Sequence, residues 1–273
     1  MYLVLDIGGT NCRIGFFNDL NAKKPSKVEY IKLQHDFDKD WQAILDTLQH
    51  IKGINGAVMA IAGALDQDRT KLINSPHLPV FEGIDIKNRL SDDLSCKVEV
   101  FNDTYLAALG ESTVARYTDS FWYLNWGSGI GGSLVKGKRT KRKIYAAEPG
   151  HMVLCPRAEA CECGQKGCWD AMAGGKSLQR RYGKSPSELI LKQWKEIVPF
   201  MINGLINISV VYPTELIIMG GGIALNQPEI IDLIAHKLQD SMKILPAPRL
   251  EIAKLGDLAA IYGGFAFMRE EYN

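Results

Sequence analysis

Short hydrophobic runs alternate along the chain with segments whose apolar positions recur every three or four residues. The short runs, bounded by turn-forming residues, predict β-strands at Tyr2–Ile7, Cys12–Phe17, Val28–Leu33, Ala57–Ala62, Lys97–Phe101, Phe121–Asn125, Gly132–Val135, Leu216–Met219 and Leu250–Ala253. The helical spacing predicts helices at Trp41–Ile51, Ile86–Leu94, Thr104–Tyr117, Lys192–Val211, Ile230–Leu238 and Leu258–Arg269. Strands mixed with helices in this order indicate an α/β chain with layered sheets.

One pattern occurs twice. Leu3–Phe17 combines a hydrophobic strand, a glycine turn opened by a polar residue and a returning strand, and Phe121–Val135 repeats this plan about 120 residues later. The chain has 273 residues and is 46% hydrophobic, which is enough for two lobes or for one large domain with a substantial buried core. We therefore expect a duplicated fold with a cleft between its lobes and a boundary near residues 112–118.

Charge and cysteine usage narrow the classes of function. The formal net charge is +1, so no overall field attracts nucleic acid or an anionic membrane. The start of the chain does not have the pattern of a signal peptide, and the longest apolar run, Leu216–Leu225, contains three glycines and is too short to span a bilayer. Three of the six cysteines lie within residues 161–168, which favours a metal site over disulfides. We expect a cytoplasmic protein with a small ligand, and neither nucleic acid nor a membrane as partner.

Three glycine clusters are candidates for phosphate binding. They are Gly8-Gly9, the turn Gly127–Gly129 and Gly220–Gly222. A turn without side chains lets main-chain N–H groups approach phosphate oxygens closely. Any one of these clusters can simply serve a tight turn. Because they occur together, we favour a nucleotide-binding site.

Two literal motif matches fail in their context. Gly127-x-Gly129-x-x-Gly132 fits the dinucleotide fingerprint, but a strand follows it and not the helix that would hold a pyrophosphate. Gly175–Ser177 resembles the end of a phosphate-binding P-loop, but that loop needs a glycine where this chain has Asp170. Neither a Rossmann domain nor a P-loop is expected.

A second cluster has the spacing of metal ligands. Cys161, Cys163 and Cys168 offer three thiolates, and His151 lies ten residues upstream. Together they make a tetrahedral Cys3His set, which suits Zn²⁺ and leaves no open position for an activated water. We therefore expect a structural zinc site. The alternative of three free cysteines in a loop is disfavoured by the close spacing and the glycines of the loop.

Two further features have competing interpretations. Asn102-Asp103 follows one predicted strand and opens the helix Thr104–Tyr117, which puts Asp103 at the carboxyl end of a strand, where α/β proteins bind ligands. The competing role for Asp103 is a plain helix N-cap. The basic run Lys136–Lys143 could attract a polyanion such as polyphosphate, although we favour a solvated loop.

Six segments, taken together and in order, resemble one known family. They are DIGGT (Asp6–Thr10), FNDTYLAALGE (Phe101–Glu111), GSGIGGS (Gly127–Ser133), EPGH (Glu148–His151), CECGQKGC (Cys161–Cys168) and IMGGG (Ile218–Gly222). They are similar to the ROK family of bacterial sugar kinases and related repressors. A late segment, Gly256–Gly264, extends the resemblance over almost the whole chain.

The resemblance implies the duplicated actin-like ATPase fold of hexokinases, a ribonuclease H-like α/β fold with two lobes. The smaller lobe would comprise residues 1–115 with a final helix at about 258–273, and the larger lobe residues 116–257. Repressors of this family carry an N-terminal DNA-binding helix-turn-helix. Because DIGGT begins at Asp6, we favour the kinase branch. The family commonly forms homodimers or homotetramers.

The resemblance also implies a role for each motif residue. Asp103 would be the general base for a sugar 6-hydroxyl, Asn102 would help to hold the sugar, and Asp6 would orient Mg²⁺, directly or through water. ATP phosphates would lie against main chain at Gly8, Gly9, Thr10, Gly127, Ser128 and Gly129, and adenosine beside Gly220 and Gly221. Glu148 and His151 would bind sugar hydroxyls, with His151 also a zinc ligand.

Departures from the family pattern leave the substrate open. Asp170 stands where the family usually has a sugar-contacting Glu. His77 stands where many glucose kinases have a sugar-binding Asn, with Asn74 as an alternative match. Unpaired polar groups in a sugar site cost about 1 to 3 kcal/mol, enough to decide preference. We rank an ATP:hexose 6-phosphotransferase acting on glucose first, with N-acetylmannosamine, N-acetylglucosamine, mannose and fructose as alternatives. A silent sugar sensor and a kinase for a non-sugar metabolite are the rival functions.

Overall fold

The computed structural model describes residues 1–115, 117, 120–137 and 142–272. Parts of the predicted boundary at 112–118 (residues 116 and 118) and of the basic run 136–143 (residues 138–141) therefore lie outside the described residues. The chain forms two compact units. The first unit is Met1–Arg116 with Leu258–Asn273, and the second is Tyr117–Asp257.

The described residues contain the following elements. The strands are β1 (Tyr2–Ile7), β2 (Asn11–Phe17), β3 (Lys27–Lys32), β4 (Gly56–Ile61), β5 (Ala64–Leu65), β6 (Leu72–Asn74), β7 (Val98–Asn102), β8 (Phe121–Trp126), β9 (Ile130–Lys136), β10 (Lys143–Ala147), β11 (Leu216–Gly220) and β12 (Arg249–Ile252). The helices are α1 (Phe37–Leu48), α2 (Ile86–Leu94), α3 (Asp103–Thr113), α4 (Trp169–Ala173), α5 (Gly175–Tyr182), α6 (Leu191–Val211), α7 (Gly222–Asn226), α8 (Pro228–Ser241) and α9 (Ala259–Glu271).

Each unit contains one five-stranded sheet, and the two sheets have the same strand order. The first is β3-β2-β1-β4-β7 and the second is β10-β9-β8-β11-β12. In both, three consecutive strands (β1, β2 and β3, or β8, β9 and β10) pair antiparallel, and the other two strands pair in parallel. Every residue of β4 is buried, as is typical of a parallel strand covered on both faces. The predicted duplication is confirmed.

The last helix completes the first unit. α9 packs against α3 so closely that a Cβ at Gly263 would lie 1.7 Å from the carbonyl oxygen of Leu106. Only glycine permits this contact between two helix backbones. Residues at the end of the chain therefore hold the helix that begins at Asp103.

The second unit is built around a larger core. Trp126 of β8, Trp169 of α4 and Trp194 of α6 are fully buried there. No helix among the described residues has both the length and the apolar composition that crossing a membrane would require.

Several predicted boundaries are wrong. α1 begins at Phe37, not Trp41, because the Asp36 side chain caps it by accepting from the Lys39 N–H. α3 ends at Thr113, not Tyr117, and α1 ends at Leu48, not Ile51. Strands β5, β6 and β10 and helices α4, α5 and α7 were not predicted, since each is short or polar and has little periodicity.

Candidate active site and metal site

The carboxyl ends of three parallel strands meet at one edge of the first sheet. Ile7 at the end of β1 pairs with Ile61 of β4, and Ile61 pairs with Asn102 of β7. Asp6 and Asp103 are thereby brought to the same edge. This edge is where open α/β sheets bind ligands.

Asn102, not Asp103, is the cap of α3. The Asn102 Oδ1 atom accepts from the N–H groups of Thr104 and Tyr105, at 2.9 and 3.2 Å, and from the Thr104 hydroxyl at 2.6 Å. Its Nδ2 donates to the carbonyl oxygen of Gly63 at 3.1 Å. The N-cap interpretation of Asp103 is therefore wrong, and its carboxylate stands at the first helical position. The contact of Asn102 with a sugar stays a prediction.

The environment of Asp103 favours its protonated form. Burial raises the pKa of Asp103 from 3.8 to about 7, and the negative charge of Asp6 adds to this effect. Its Oδ1 accepts from the Thr104 N–H at 2.8 Å, which opposes the shift. A carboxylate with a pKa near 7 is well matched to general-base chemistry at neutral pH.

Asp6 pairs with a residue that the sequence analysis missed. Asp6 on β1 lies directly opposite Arg13 on β2, and Arg13 Nη1 donates to Asp6 Oδ2 at 3.2 Å. Asp6 is only 7% exposed, so this ion pair is largely buried on the Asp6 side, close to the sheet edge. The sequence feature that could have revealed this pair is the length of the turn Gly8–Thr10, because it sets which residues of β1 and β2 lie opposite each other.

The first glycine turn has His77 against it. A Cβ added at Gly9 would lie 2.9 Å from the Cβ of His77, so the imidazole is beside the turn. Asn74 is exposed on β6. Between them Ser75 is buried, and its hydroxyl donates to the carbonyl oxygen of Ala62 at 2.7 Å. Of the two alternative residues, His77 is the one in contact with the glycine turn.

The second glycine turn lies at the corresponding edge of the second sheet. It closes with a hydrogen bond from Gly127 N–H to Gly129 O at 2.9 Å, and Ser128 is exposed at its tip. Gly221 lies beside this edge, because a Cβ there would be 2.5 Å from Asn125 Oδ1. Asn125 is a further polar group at this edge that the sequence analysis missed.

The remaining adenosine-loop residue lies against an aromatic side chain. A Cβ at Gly220 would be 2.2 Å from the hydroxyl of Tyr123. Gly220 is buried at the end of β11 and pairs with Asn125 of β8. The adenosine role of this loop stays a prediction.

The four predicted metal ligands come together. One ligand atom from each of His151, Cys161, Cys163 and Cys168 lies within 4.8 Å of the others. Cys161 Sγ is 3.6 Å from His151 Nδ1, and Cys163 Sγ is 3.6 Å from Cys168 Sγ. Around a tetrahedral zinc, such atoms would be about 3.5 to 3.8 Å apart. The donor set and spacing fit Zn²⁺, and burial lowers the pKa of His151, which favours its neutral ligating form.

The two remaining sugar candidates have different surroundings. Glu148 is exposed, immediately before the short 3₁₀ turn Pro149–His151. Asp170 is 8% exposed, and its Oδ1 accepts from the Ile130 N–H at 2.6 Å. Burial raises the pKa of Asp170 to about 6. The predicted sugar contacts of both residues remain predictions, but Asp170 has an intramolecular partner that the sequence did not suggest.

The repeated sheets, each with a glycine hairpin, define the actin-like ATPase fold, as the resemblance implied. A sequence profile of the ROK family matches residues 2–271, and the chain belongs to this family.

The chain is similar over much of its length to proteins that are named as sugar kinases. An N-acetyl-D-glucosamine kinase of Pectobacterium carotovorum is 25% identical over 299 residues, covering 96% of this chain and 97% of its own length. A glucokinase of Thermotoga maritima is 28% identical over 200 residues, covering 69% and 63%. The crystal structure of a ROK family glucokinase from Streptomyces griseus, in complex with glucose and AMPPNP, matches with a TM-score of 0.83 and 20% identity over 98% of this chain and 99% of that one.

Proposed function

We propose that this protein is an ATP-dependent hexose kinase that transfers the γ-phosphoryl group to a sugar 6-hydroxyl. The observation that supports this most strongly is the carboxylate of Asp103. It stands at the carboxyl edge of the first sheet, its capping role is taken by Asn102, and its pKa is raised to about 7. The kinases named among its relatives support the same class of reaction.

In the proposed reaction Asp103 accepts the proton of the sugar hydroxyl as that oxygen forms a bond to the γ-phosphorus. The bond from the γ-phosphorus to the bridging oxygen of ADP breaks, so the products are ADP and a sugar 6-phosphate. Bound Mg²⁺ would supply positive charge to the phosphates. Asp6 would hold its water ligands, and the contact with Arg13 Nη1 at 3.2 Å would fix the position of that carboxylate.

The two glycine hairpins have complementary roles in this proposal. The main chain at Gly8, Gly9 and Thr10, and at the turn Gly127–Gly129, would donate N–H groups to phosphate oxygens. Gly220 and Gly221 would lie beside adenosine. Asn125, next to Gly221, is a candidate for a polar contact with the nucleotide.

Zinc would be structural. His151, Cys161, Cys163 and Cys168 would supply all four ligands of a tetrahedral ion, which would leave no position for substrate or an activated water. With Nδ1 of His151 facing Cys161, the Nε2 atom of the same ring is left to contact a sugar hydroxyl.

Glucose stays first among the substrates, with N-acetylglucosamine second. The relatives named as glucokinase and N-acetyl-D-glucosamine kinase support both. N-acetylmannosamine, mannose and fructose belong in the same test, because His77 and Asp170 depart from the family pattern at sugar positions. Sugar-dependent ADP formation across this panel, with ATP and Mg²⁺, will rank them.

The deciding experiment compares two isosteric variants. Asp103→Asn removes the base but keeps an oxygen for the Thr104 N–H. Asp92→Asn, at an exposed position on α2, is the matched control. We expect Asp103→Asn to lose at least about 100-fold in kcat, the range for a general base, with zinc content unchanged. Asp92→Asn should retain wild-type turnover.

Two outcomes would contradict the proposal. Retained turnover in Asp103→Asn would remove this residue from the role of base. Sugar binding without ADP formation from any sugar of the panel would favour a non-catalytic sensor instead.

A further inference from the structure

One segment of the second unit is tied to the second glycine hairpin at several points. We call residues 169–176, which include α4 and the start of α5, the strap. The N–H groups of Gly175 and Lys176 donate to the carbonyl oxygens of Gly127 and Ser128, at 2.9 and 2.7 Å. The strap therefore fixes the carbonyl side of the turn that would face the nucleotide.

Side chains add two more connections between the strap and the hairpin. The indole N–H of Trp126, the last residue of β8, donates to the carbonyl oxygen of Ala173 at 2.8 Å. Asp170 Oδ1 accepts from the N–H of Ile130, the first residue of β9, at 2.6 Å. These contacts hold both strands of the hairpin, one on each side of its turn.

Among these four contacts, only the one with Ile130 has a side-chain carboxylate, that of Asp170, as its acceptor. Both residues of this contact are buried. Asp170 is 8% exposed, and Ile130 is 4% exposed. A Cβ added at Gly174 would lie 2.5 Å from Asp170 Oδ1, so the carboxylate packs against a position where a side chain would collide with it. A buried main-chain N–H that lost this acceptor would be left without its partner, which is unfavourable away from water.

The carbonyl group of Ile130 is also closely packed. A Cβ at Gly150 would lie 2.0 Å from the Ile130 carbonyl oxygen, so the 3₁₀ turn that carries His151 presses against the same residue. The Trp169 N–H donates to the Met152 carbonyl oxygen at 2.8 Å. Ile130 therefore lies between the 3₁₀ turn, which contains the metal-site residue His151, and the strap, which begins directly after the metal-site residue Cys168.

We propose that Asp170 is a positioning residue that sets the second glycine hairpin for nucleotide binding through its hydrogen bond to Ile130. This role replaces the predicted contact of Asp170 with a sugar. Only the kinetic test of this positioning role depends on the proposed kinase function. The side-chain length supports it, because a Glu at this position would carry its carboxylate one methylene further from the main chain and so away from the position that accepts from the Ile130 N–H.

Three variants at this position separate the two roles. Asp170→Asn keeps an oxygen acceptor for the Ile130 N–H, Asp170→Ala removes it, and Asp170→Glu supplies the residue that the family usually has there. Asp232→Ala, at an exposed position on α8, is the control. Amide hydrogen exchange at Ile130, followed by NMR, reports on the contact whether or not the protein is a kinase.

We expect exchange at Ile130 to be at least about tenfold faster in Asp170→Ala and Asp170→Glu, and within about twofold of wild type in Asp170→Asn. The KM for ATP should rise about tenfold in the first two variants, while the KM for the sugar changes less than about twofold. If Asp170→Ala fails to fold, the comparison of Asp170→Asn with Asp170→Glu gives the same test.

Two results would overturn the proposal. Unchanged exchange at Ile130 in Asp170→Glu would show that the contact does not position the hairpin. A changed KM for the sugar with an unchanged KM for ATP would return Asp170 to the sugar site. If wild-type protein phosphorylates no sugar, the proposed function fails, but the exchange measurement still decides whether Asp170 positions the hairpin.

Discussion

Replacing Asp103 with Asn should make the folded protein more stable at alkaline pH while it removes the proposed base. The pKa of Asp103 is raised from 3.8 to about 7. Below pH 4 the carboxyl group is protonated in both the folded and the unfolded chain. Between pH 4 and 7 the unfolded chain loses this proton first, so stability falls as pH rises. Above pH 7 Asp103 is charged in the folded chain as well, so the free energy of unfolding is lowered by the full cost of holding that charge in its site.

The size of the effect follows from the shift. Roughly three pKa units at about 1.36 kcal/mol each give an upper value of about 4 kcal/mol. Since the Asp103 side chain is partly exposed, solvent screening reduces this, and we expect about 1 to 2 kcal/mol. Asn retains an acceptor for the Thr104 N–H, so little else is lost.

Thermal unfolding of wild type and Asp103→Asn at pH 8 and at pH 4 is the assay. We expect a melting temperature about 2 to 8 °C higher for the variant at pH 8, and no difference at pH 4. A variant that is less stable than wild type at pH 8, or equally stabilised at both pH values, would refute the assignment of a raised pKa to Asp103.

Three further predictions concern catalysis, metal and packing. In wild type, kcat/KM should fall about tenfold per pH unit below pH 7, because Asp103 becomes protonated; a profile that is flat down to pH 5 would contradict this. Cys163→Ser should lose most of the bound zinc measured by atomic emission, whereas Cys155→Ser, at an exposed cysteine outside the ligand set, should keep it. Gly263→Ala should destabilise the first unit by about 1 to 3 kcal/mol or more in urea unfolding, because its Cβ would overlap α3. Gly222→Ala, where a Cβ meets open space, should change stability by less than about 0.5 kcal/mol.

The sheets could be predicted from the sequence because their strands are short apolar runs between turns. β1 has the predicted bounds, Tyr2–Ile7, and β2 differs by one residue. β10, Lys143–Ala147, was missed because it is largely exposed and its residues have no clear alternation. The early start of α1 had a local signal in Asp36, an N-cap residue directly before Phe37.

The candidate site was predictable where a motif is local. The four metal ligands have a recognisable spacing, and Asp103 follows directly after a strand. The cap of α3 was not assigned correctly, since Asn102 and Asp103 are both good cap residues and only the structure distinguishes them. The hydrogen bond from the Ile130 N–H to Asp170 joins residues 40 positions apart. No periodicity or motif in the sequence indicates this contact.

The most direct test of the central claim is to identify the product. Purified protein, ATP, Mg²⁺ and the best hexose of the panel should yield ADP and sugar 6-phosphate in equal amounts, followed by ³¹P and ¹³C NMR. The Asp103→Asn variant should yield neither at a comparable rate. Release of ADP without a sugar phosphate, or a phosphate on an oxygen other than that of carbon 6, would contradict the account.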